Sequence, residues 1–316
     1  NDLYDMLTVH INLGLTELIN LYGIENKATI EEYYDYLLSK NLGFWTDSPW
    51  LFPPNSTKYE HPSAITNAIL DWNTSSDYDF KKCFQQLDDL NCEHIQLRFF
   101  DTISTQKFES ILNHLNESGI LSVEVLIKHN SVFDEKRYDF YLRRFLRIDR
   151  IIVHSAPFDK NFKDANKHGA LINLFYYKTS INSESHCGQV SPAHFALNSS
   201  AYNEALKFNS CLNKKLSIDC KGYIKNCPSM NETYGHISTT TLIEALTHEK
   251  FKSQWNTTKD QISVCQQCEF RYICTDCRAY TLDGGKFNKP IKCLYNPYTA
   301  TWETKIAKHS TYPTTI

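Results

Sequence analysis

The stretch Ala64-Ile-Thr-Asn-Ala-Ile-Leu-Asp-Trp72 opens the part of the chain that decides the fold, because its apolar run is typical of a buried strand. Further strand patterns follow at 94–100, 121–128, 150–154 and 170–177. Helical patterns lie between them, at 79–90, 106–115 and 135–145. Strands that alternate with helices predict an α/β domain with a parallel sheet, and the sequence leaves open whether this is a partial βα barrel or an open sheet.

The composition is that of a folded globular protein. The 316 residues are 41% hydrophobic and 22% charged, with 10 Gly and 10 Pro, which excludes a collagen-like, low-complexity or largely disordered chain. The 33 Lys and Arg residues nearly balance the 36 Asp and Glu residues, so we expect neither nucleic acid nor a membrane as a partner. No apolar stretch approaches the roughly 20 residues of a membrane-spanning helix, in agreement with that expectation.

The residues before the βα series carry two helical patterns, at 14–22 and 29–38. Thr29 followed by Glu32 is a capping-box pattern for the second helix, and residues 41–45 then break the helix and turn extended. Helix, turn, helix and short strand predict a small winged-helix-like module over 1–52. The alternative is a helical extension packed against the next domain. We expect a βα domain over 58–182, a cysteine-rich domain over 183–300 and a tail over 301–316.

Cysteine is unevenly distributed along the chain. Of the 11 cysteines, Cys83 and Cys92 lie in the first 186 residues and nine lie between 187 and 293. A secreted disulfide framework is one explanation, but such frameworks typically mark much smaller domains. In a reducing compartment, clustered Cys-x-x-Cys pairs indicate metal or redox chemistry, so we expect a cytoplasmic metal-binding protein. Cys83 and Cys92 are expected to be buried as small apolar residues.

The strongest motif is Cys265-Gln-Gln-Cys268-Glu-Phe-Arg-Tyr-Ile-Cys274-Thr-Asp-Cys277, two Cys-x-x-Cys pairs that are followed by Cys293. A two-residue spacer lets both thiolates reach one metal ion or two irons of one cluster. Upstream, Cys211 and Cys227 flank a stretch in which Gly222 allows a tight hairpin that would bring the two cysteines together. Spacing alone does not distinguish iron-sulfur clusters from zinc.

The pattern Cys-x10-Gly-x4-Cys, a gap, Cys-x2-Cys-x5-Cys-x2-Cys, a gap and a last Cys resembles the SPASM domain, an auxiliary iron-sulfur module that usually follows a radical SAM barrel. The usual pattern has three residues, not two, before the cysteine matched by Cys277. The resemblance implies one [4Fe-4S] cluster on Cys265, Cys268, Cys274 and Cys293. It implies a second on Cys211, Cys227 and Cys277, with Cys187 as the first candidate for the fourth ligand and Cys220 as the second. Two structural Zn²⁺ ions on the same thiolates are the alternative.

A radical SAM enzyme also needs Cys-x3-Cys-x2-Cys after its first barrel strand, where this chain reads Asn73-Thr-Ser-Ser-Asp-Tyr-Asp. We therefore expect no S-adenosylmethionine and no radical SAM chemistry, and we assign no catalytic residue. His154, His186 and His236 lack any nucleophile motif and are expected to be structural. Four basic residues among the cysteines are expected to offset the charge of thiolate-ligated clusters: Arg271, Arg278, Lys289 and Lys292.

This combination resembles the SPASM-domain peptide maturases of grasp-with-spasm systems. The resemblance implies an accessory role beside an ATP-grasp peptide ligase that modifies a ribosomally made precursor peptide. The leader of that precursor would bind the N-terminal module, at a wing edge over residues 6–12 or along the helix at 29–38. The alternatives are a redox or peptide-modifying enzyme that uses the auxiliary clusters, and a zinc-stabilised peptide- or protein-binding module.

Overall fold

The computed structural model describes residues 6, 9, 10, 13–165 and 171–303, and the chain forms two compact units, 1–56 and 57–316. The first unit contains helices α1 (Leu15–Tyr22) and α2 (Lys27–Ser39), with 3₁₀ turns at Ile24–Asn26 and Pro49–Leu51. The buried apolar side chains of its described residues are few: Met6, Leu18 and Ile30.

Two predictions for the first unit differ from the structure. Helix α2 follows a 3₁₀ turn and begins at Lys27 with Asn26 at its N-cap, so Thr29 lies inside the helix and forms no capping box. Residues 13–56 contain no strand, so no wing is seen in the described residues. After the helix, the chain stays irregular, and the Trp45 ring stacks on the ring of Tyr34. Of the predicted wing edge at 6–12, residues 7, 8, 11 and 12 lie outside the described residues.

The second unit is built on an eight-stranded mixed sheet, which confirms the α/β class. The strands are β1 (Asn67–Trp72), β2 (His94–Phe99), β3 (Ser122–Lys128), β4 (Ile148–His154), β5 (Lys160–Ala165), β6 (Leu171–Tyr176), β7 (Lys215–Ile218) and β8 (Ile224–Lys225). Their order is β5-β6-β4-β3-β2-β1-β7-β8, an open sheet in the described residues. Strands β5 and β8 run antiparallel to their neighbours, and all other pairs are parallel.

Helices α3 (Phe80–Asp89), α4 (Thr105–Asn116) and α5 (Glu135–Arg144) connect the first four strands. Each helix begins at a side-chain cap, from Asp79, Ser104 and Asp134 respectively, which satisfies a free backbone N–H group. Every crossover steps the same way along the sheet, so right-handed connections place the three helices on one face. Alternate strand residues pack there with the helices in one apolar core.

The opposite face of the sheet carries polar groups. Asp71 and Arg98 are cross-strand partners in β1 and β2 and form a buried bidentate ion pair at 2.6 and 2.7 Å. Gln96 bonds Glu124, and the Arg150 guanidinium lies 3.4 Å from the same carboxylate. An apolar cluster on the same face, formed by Phe100, Leu126 and Ile181, packs against Cys220, so this face meets the cysteine-rich segment with both charged and apolar groups.

The cysteine-rich segment has little regular structure. Its helices are α6 (Ser199–Ala205) and α7 (Leu242–Thr247), and its last strands β9 (Tyr295–Asn296) and β10 (Thr301–Trp302) form a small antiparallel pair. Helix α7 belongs to the core of the main sheet through its buried apolar residues. In the described part of the chain, no helix has the length and apolar run that crossing a bilayer requires.

Candidate metal centre

All eleven cysteines are described, and all have free thiols, so no disulfide framework holds this segment together. Cys83 and Cys92 lie in the core between the sheet and its helices, as expected for small apolar residues. Burial raises the pKa of Cys92 to about 12 and that of Cys83 further. Both thiols are therefore protonated and chemically quiet at neutral pH.

The eight predicted ligands fall into two neighbourhoods. The first contains Cys187, Cys211, Cys227 and Cys277. Burial raises the pKa of Cys227 to about 12, and the adjacent thiolates of Cys211 and Cys187 add to the rise. The pKa of Cys277 is raised to about 11, again by burial first and by the thiolates of Cys211 and Cys187. The structure thus places the four sulfurs close enough to interact electrostatically.

A hairpin positions two of these cysteines. Strands β7 and β8 pair through Ser217 with Lys225, and the turn between them has Gly222 at a φ of 82°. Cys211 precedes the first strand and Cys227 follows the second, so the hairpin predicted from Gly222 is present. The Asn226 amide bonds the Leu212 carbonyl at 3.0 Å, which holds the two ends of the hairpin together.

Cys187, and not Cys220, belongs to this first neighbourhood. The loop that carries Cys187 passes so close to Cys277 that a Cβ at Gly188 would lie 2.8 Å from the Cys277 sulfur. The Cys187 carbonyl accepts a hydrogen bond of 2.5 Å from Lys292, which fixes the loop. The thiol of Cys220 instead packs in a separate apolar cluster, and burial followed by acidic neighbours raises its pKa to about 12.

The second neighbourhood contains Cys265, Cys268, Cys274 and Cys293. Burial raises the pKa of each of the first three thiols, and the Cys293 thiolate adds to the rise in each case. Cys265 begins a 3₁₀ turn, and the Cys268 N–H donates to its carbonyl at 2.9 Å, so the two-residue spacer does form a tight turn. A backbone bridge between Val190 and Cys293 links this neighbourhood to the loop of the first.

Positive charge lies beside both neighbourhoods. Lys215 donates from Nζ to the Cys211 sulfur at 3.5 Å. Burial would lower the pKa of this lysine, but the thiolates of Cys211, Cys227 and Cys187 raise it above the usual value. Lys215 was not among the residues predicted from the sequence, because Cys211 lies in a turn before the strand and the spacing between the two does not fix how they face each other.

A buried triad accompanies the second neighbourhood. The Asp276 carboxylate bonds Arg278 at 2.6 Å and lies 3.5 Å from the Lys259 ammonium, and all three residues are buried. Burial would lower the pKa of Lys259, whereas Asp276 and then Cys274 and Cys265 raise it. One carboxylate thus faces two cations. Of the four basic residues expected to offset cluster charge, Arg278 is placed to do so, whereas Arg271 pairs with Asp260 instead.

The thiols lie near one another, but their positions do not form a metal coordination shell. Across the described residues, no three His, Cys, Asp or Glu side chains converge in the arrangement that ligates a metal ion. The donor set still fits a thiolate-ligated group, since two sets of four cysteines suit either a [4Fe-4S] cluster or tetrahedral zinc. The adjacent unbalanced cations fit the negative charge that such groups carry.

A cleft of about 460 Å³ opens at the carboxyl ends of β1 and β2, close to the loop that carries Cys187. Its lining includes the carboxylates of Glu184 and Asp219, the latter paired with Lys225 at 3.0 Å. Ligands of open α/β sheets commonly bind at this edge, so the cleft is a candidate binding site for part of a peptide.

His154 is structural, as expected. It is fully buried, its Nε2–H donates to the Phe99 carbonyl at 3.0 Å, and its Nδ1 accepts from the Ile181 N–H at 3.3 Å. Burial lowers its pKa to about 4, so the ring is neutral. The imidazole links strand β4 to the end of β2 and to the segment that leads to Cys187.

Comparisons of the chain with protein-family models, with curated proteins and with solved structures found no significant match. The interpretation of the site therefore depends on its own residues.

Proposed function

We propose that the protein is an accessory maturation protein for a ribosomally made peptide, and that it binds two auxiliary [4Fe-4S] clusters without radical SAM chemistry. Its first cluster would be held by Cys187, Cys211, Cys227 and Cys277. Its second would be held by Cys265, Cys268, Cys274 and Cys293. It would act beside an ATP-grasp ligase and bind the leader of the precursor through its N-terminal unit.

The observation that carries the metal-binding part of the proposal is the position of Lys215. In the described residues its ammonium has a thiol as hydrogen-bond partner and no carboxylate within ion-pair distance. The Glu204 carboxylate interacts with this ammonium only from beyond ion-pair distance. A half-buried ammonium beside protonated thiols is therefore unfavourable, because it loses water without gaining an opposite charge in contact with it. Four metal-bound thiolates would supply that charge, since they outweigh the positive charge of Zn²⁺ or of a [4Fe-4S] core.

The triad at the second neighbourhood supports the same conclusion. The single negative charge of Asp276 neutralises only one of the two buried cations, Lys259 and Arg278. The charge of the other cation has to be neutralised by the cysteines, as thiolates. Two independent surpluses of positive charge, each beside four cysteines, favour two anionic inorganic groups over two sets of protonated thiols. When bound, a [4Fe-4S] cluster supplies one-electron redox chemistry or a structural crosslink between distant segments.

The roles beside a ligase and toward a leader peptide rest on the resemblance to grasp-with-spasm maturases. They are supported by the separation of residues 1–56 as a compact unit of their own. The described chain also has no cysteine in the loop after β1, where a radical SAM enzyme needs three. An accessory role is therefore favoured over reductive cleavage of S-adenosylmethionine.

The metal content is tested by anaerobic purification and elemental analysis. We expect about eight iron atoms and about eight acid-labile sulfides per chain, with a brown colour that bleaches on reduction. About two zinc ions and no iron would instead favour the zinc-stabilised binding module. A chain with neither metal after reconstitution would overturn the proposal.

The accessory role is tested with a partner ligase and its precursor. We expect the ligase to modify the precursor faster when the protein is present, and the protein alone to leave the mass of the precursor unchanged. A mass change produced by the protein alone with an electron donor would favour the redox or peptide-modifying enzyme. An unchanged ligase rate would remove the basis for an accessory role.

A further inference from the structure

The first unit leaves much of its apolar surface uncovered. It contributes 56 of 316 residues but eleven of the 23 large apolar side chains that are exposed among the described residues. These are Val9, Leu21, Tyr22, Ile24, Tyr36, Leu42, Phe44, Trp45, Trp50, Leu51 and Phe52. A concentration of exposed apolar residues in so small a unit is typical of a protein interaction site.

The segment 42–52, which we call the aromatic segment, holds the largest of these side chains. Trp45 stacks on Tyr34 with ring centroids 5.3 Å apart, and Phe44 meets Phe52 edge-on at 5.0 Å. The rings therefore support one another, yet Trp50 stays 71% exposed and Phe44 64% exposed. Aromatic rings that are already ordered lose little entropy when a partner covers them, which favours binding.

The charge of the unit restricts which partner can bind. Residues 1–56 contain eight Asp and Glu residues against Lys27 and Lys40, a formal charge of −6, and Lys27 already pairs with Glu31 at 3.7 Å. The remaining 260 residues have 31 Lys and Arg against 28 Asp and Glu, a formal charge of +3. The unit therefore repels acidic peptides and anionic membranes and attracts cations.

Exposed acidic residues adjoin the exposed apolar residues along the sequence. Glu25 follows the exposed Ile24, Asp35 precedes the exposed Tyr36, and Asp47 lies within the aromatic segment. All three carboxylates belong to exposed residues. A partner that matches this pattern has apolar residues for the rings and cationic residues for the carboxylates between them.

We propose that this surface binds a basic amphipathic segment of the precursor peptide, in which Lys or Arg alternates with Leu, Ile or Phe. The identity of the partner as the precursor rests on the proposed function, whereas its chemistry follows from the surface itself. Apolar side chains of the segment cover Trp50 and the other rings of the aromatic segment. Its cations face Glu25, Asp35 and Asp47, so binding weakens as salt screens these pairs.

The probe is a labelled peptide of Leu and Lys at helical spacing, tested by fluorescence anisotropy on the full, metal-loaded chain. We expect it to bind about tenfold or more tightly than the matching Leu and Glu peptide, and to lose that advantage at about 1 M salt. The triple variant Glu25→Gln, Asp35→Asn, Asp47→Asn should weaken binding of the Lys peptide about tenfold. The control triple, Asp77→Asn, Glu232→Gln, Glu249→Gln, removes three exposed acids from the second unit and should leave binding unchanged.

Three results would overturn the inference: equal affinity for the two peptides, equal loss in both triple variants, or an unbound chain in which acrylamide fails to quench Trp45 and Trp50. The last result would mean that the rest of the chain already covers the surface. The proposed function fails separately, through missing metal or an unchanged ligase rate. If the precursor still binds the Glu25→Gln, Asp35→Asn, Asp47→Asn variant at full affinity, leader recognition by the first unit is retained. Only the inference that the acidic residues select a basic partner is then contradicted.

Discussion

At the scale of a single residue, the fourth ligand of the first cluster is a choice between two cysteines. Cys187 lies with the other three thiols, whereas Cys220 packs in another cluster near Asp71 and Asp219. We expect Cys187→Ser to lower the iron content from about eight to about four atoms per chain. Cys220→Ser is the matched control and should keep the full content. The assignment is wrong if the two variants exchange these results.

His154 makes stability depend on pH. Burial lowers its pKa to about 4 from an ordinary value of 6.5. Between pH 4 and pH 6.5, His154 is therefore protonated in the unfolded chain and neutral in the folded chain. The stabilising contribution is complete above pH 6.5 and is lost as the pH falls toward 4, by up to about 3 kcal/mol. Denaturant titrations across this range should show a smaller loss for His154→Gln, whose amide can keep both hydrogen bonds. An identical pH dependence in the variant would contradict this role.

At the scale of an element, the loop that carries Cys187 is held against Cys277 by the absence of a side chain at Gly188. A Cβ there would lie 2.8 Å from the Cys277 sulfur, and its φ of 80° already disfavours other residues. We expect Gly188→Ala to displace the loop and to lose about half of the iron.

Gly284 supplies the control for that substitution, because it has a φ of 68° and nothing within 4 Å of the Cβ position. Gly284→Ala therefore carries the same kind of backbone strain, about 1 kcal/mol, without the contact. It should keep full iron with a slightly lower melting temperature. Equal iron loss in the two variants would show that strain, and not the contact with Cys277, matters.

The elements that the sequence could predict are those whose burial is periodic. The strands β1 to β4 and the helices α3 to α5 follow the predicted ranges closely, because each has one face in the core. The edge strand β5 could not be predicted, since Lys160–Ala165 is largely polar and owes its conformation to pairing with β6. Strand β7 was expected as one arm of the hairpin at Gly222, but its pairing with β1, almost 150 residues away, is not encoded in local spacing.

The candidate site was predictable to a similar degree. Short spacings placed Cys265, Cys268 and Cys274 together, and Gly222 indicated the hairpin between Cys211 and Cys227. The position of Cys187 beside Cys277 depends on the path of its loop, which is distant from Cys277 in the sequence. The spacing of the cysteines does not encode that path. The counter-charges at Lys215 and Lys259 were missed for the same reason, since only the fold brings them to the thiols.

At the scale of the whole molecule, the two units are expected to separate by function. The core of the second unit contains no residue from 1–56, and all eight proposed ligands lie in that second unit. We therefore expect the fragment 57–316 to fold and to keep its full metal content. Its melting temperature should stay close to that of the full chain, because among the described residues the core of the main sheet is made by the second unit alone. Its circular dichroism should lose only the helical signal of α1 and α2.

The same fragment should lose capture of the precursor, since the exposed rings and the excess of acidic residues are removed with residues 1–56. The measurement is binding of labelled precursor to the fragment and to the full chain, with ligase rates recorded in parallel. Restoring residues 1–56 as a separate chain should not restore the ligase rate, because the unit then no longer holds the leader near the second unit. A fragment that binds the precursor as well as the full chain does would place leader recognition in the second unit, with the cleft beside Glu184 as the next site to test.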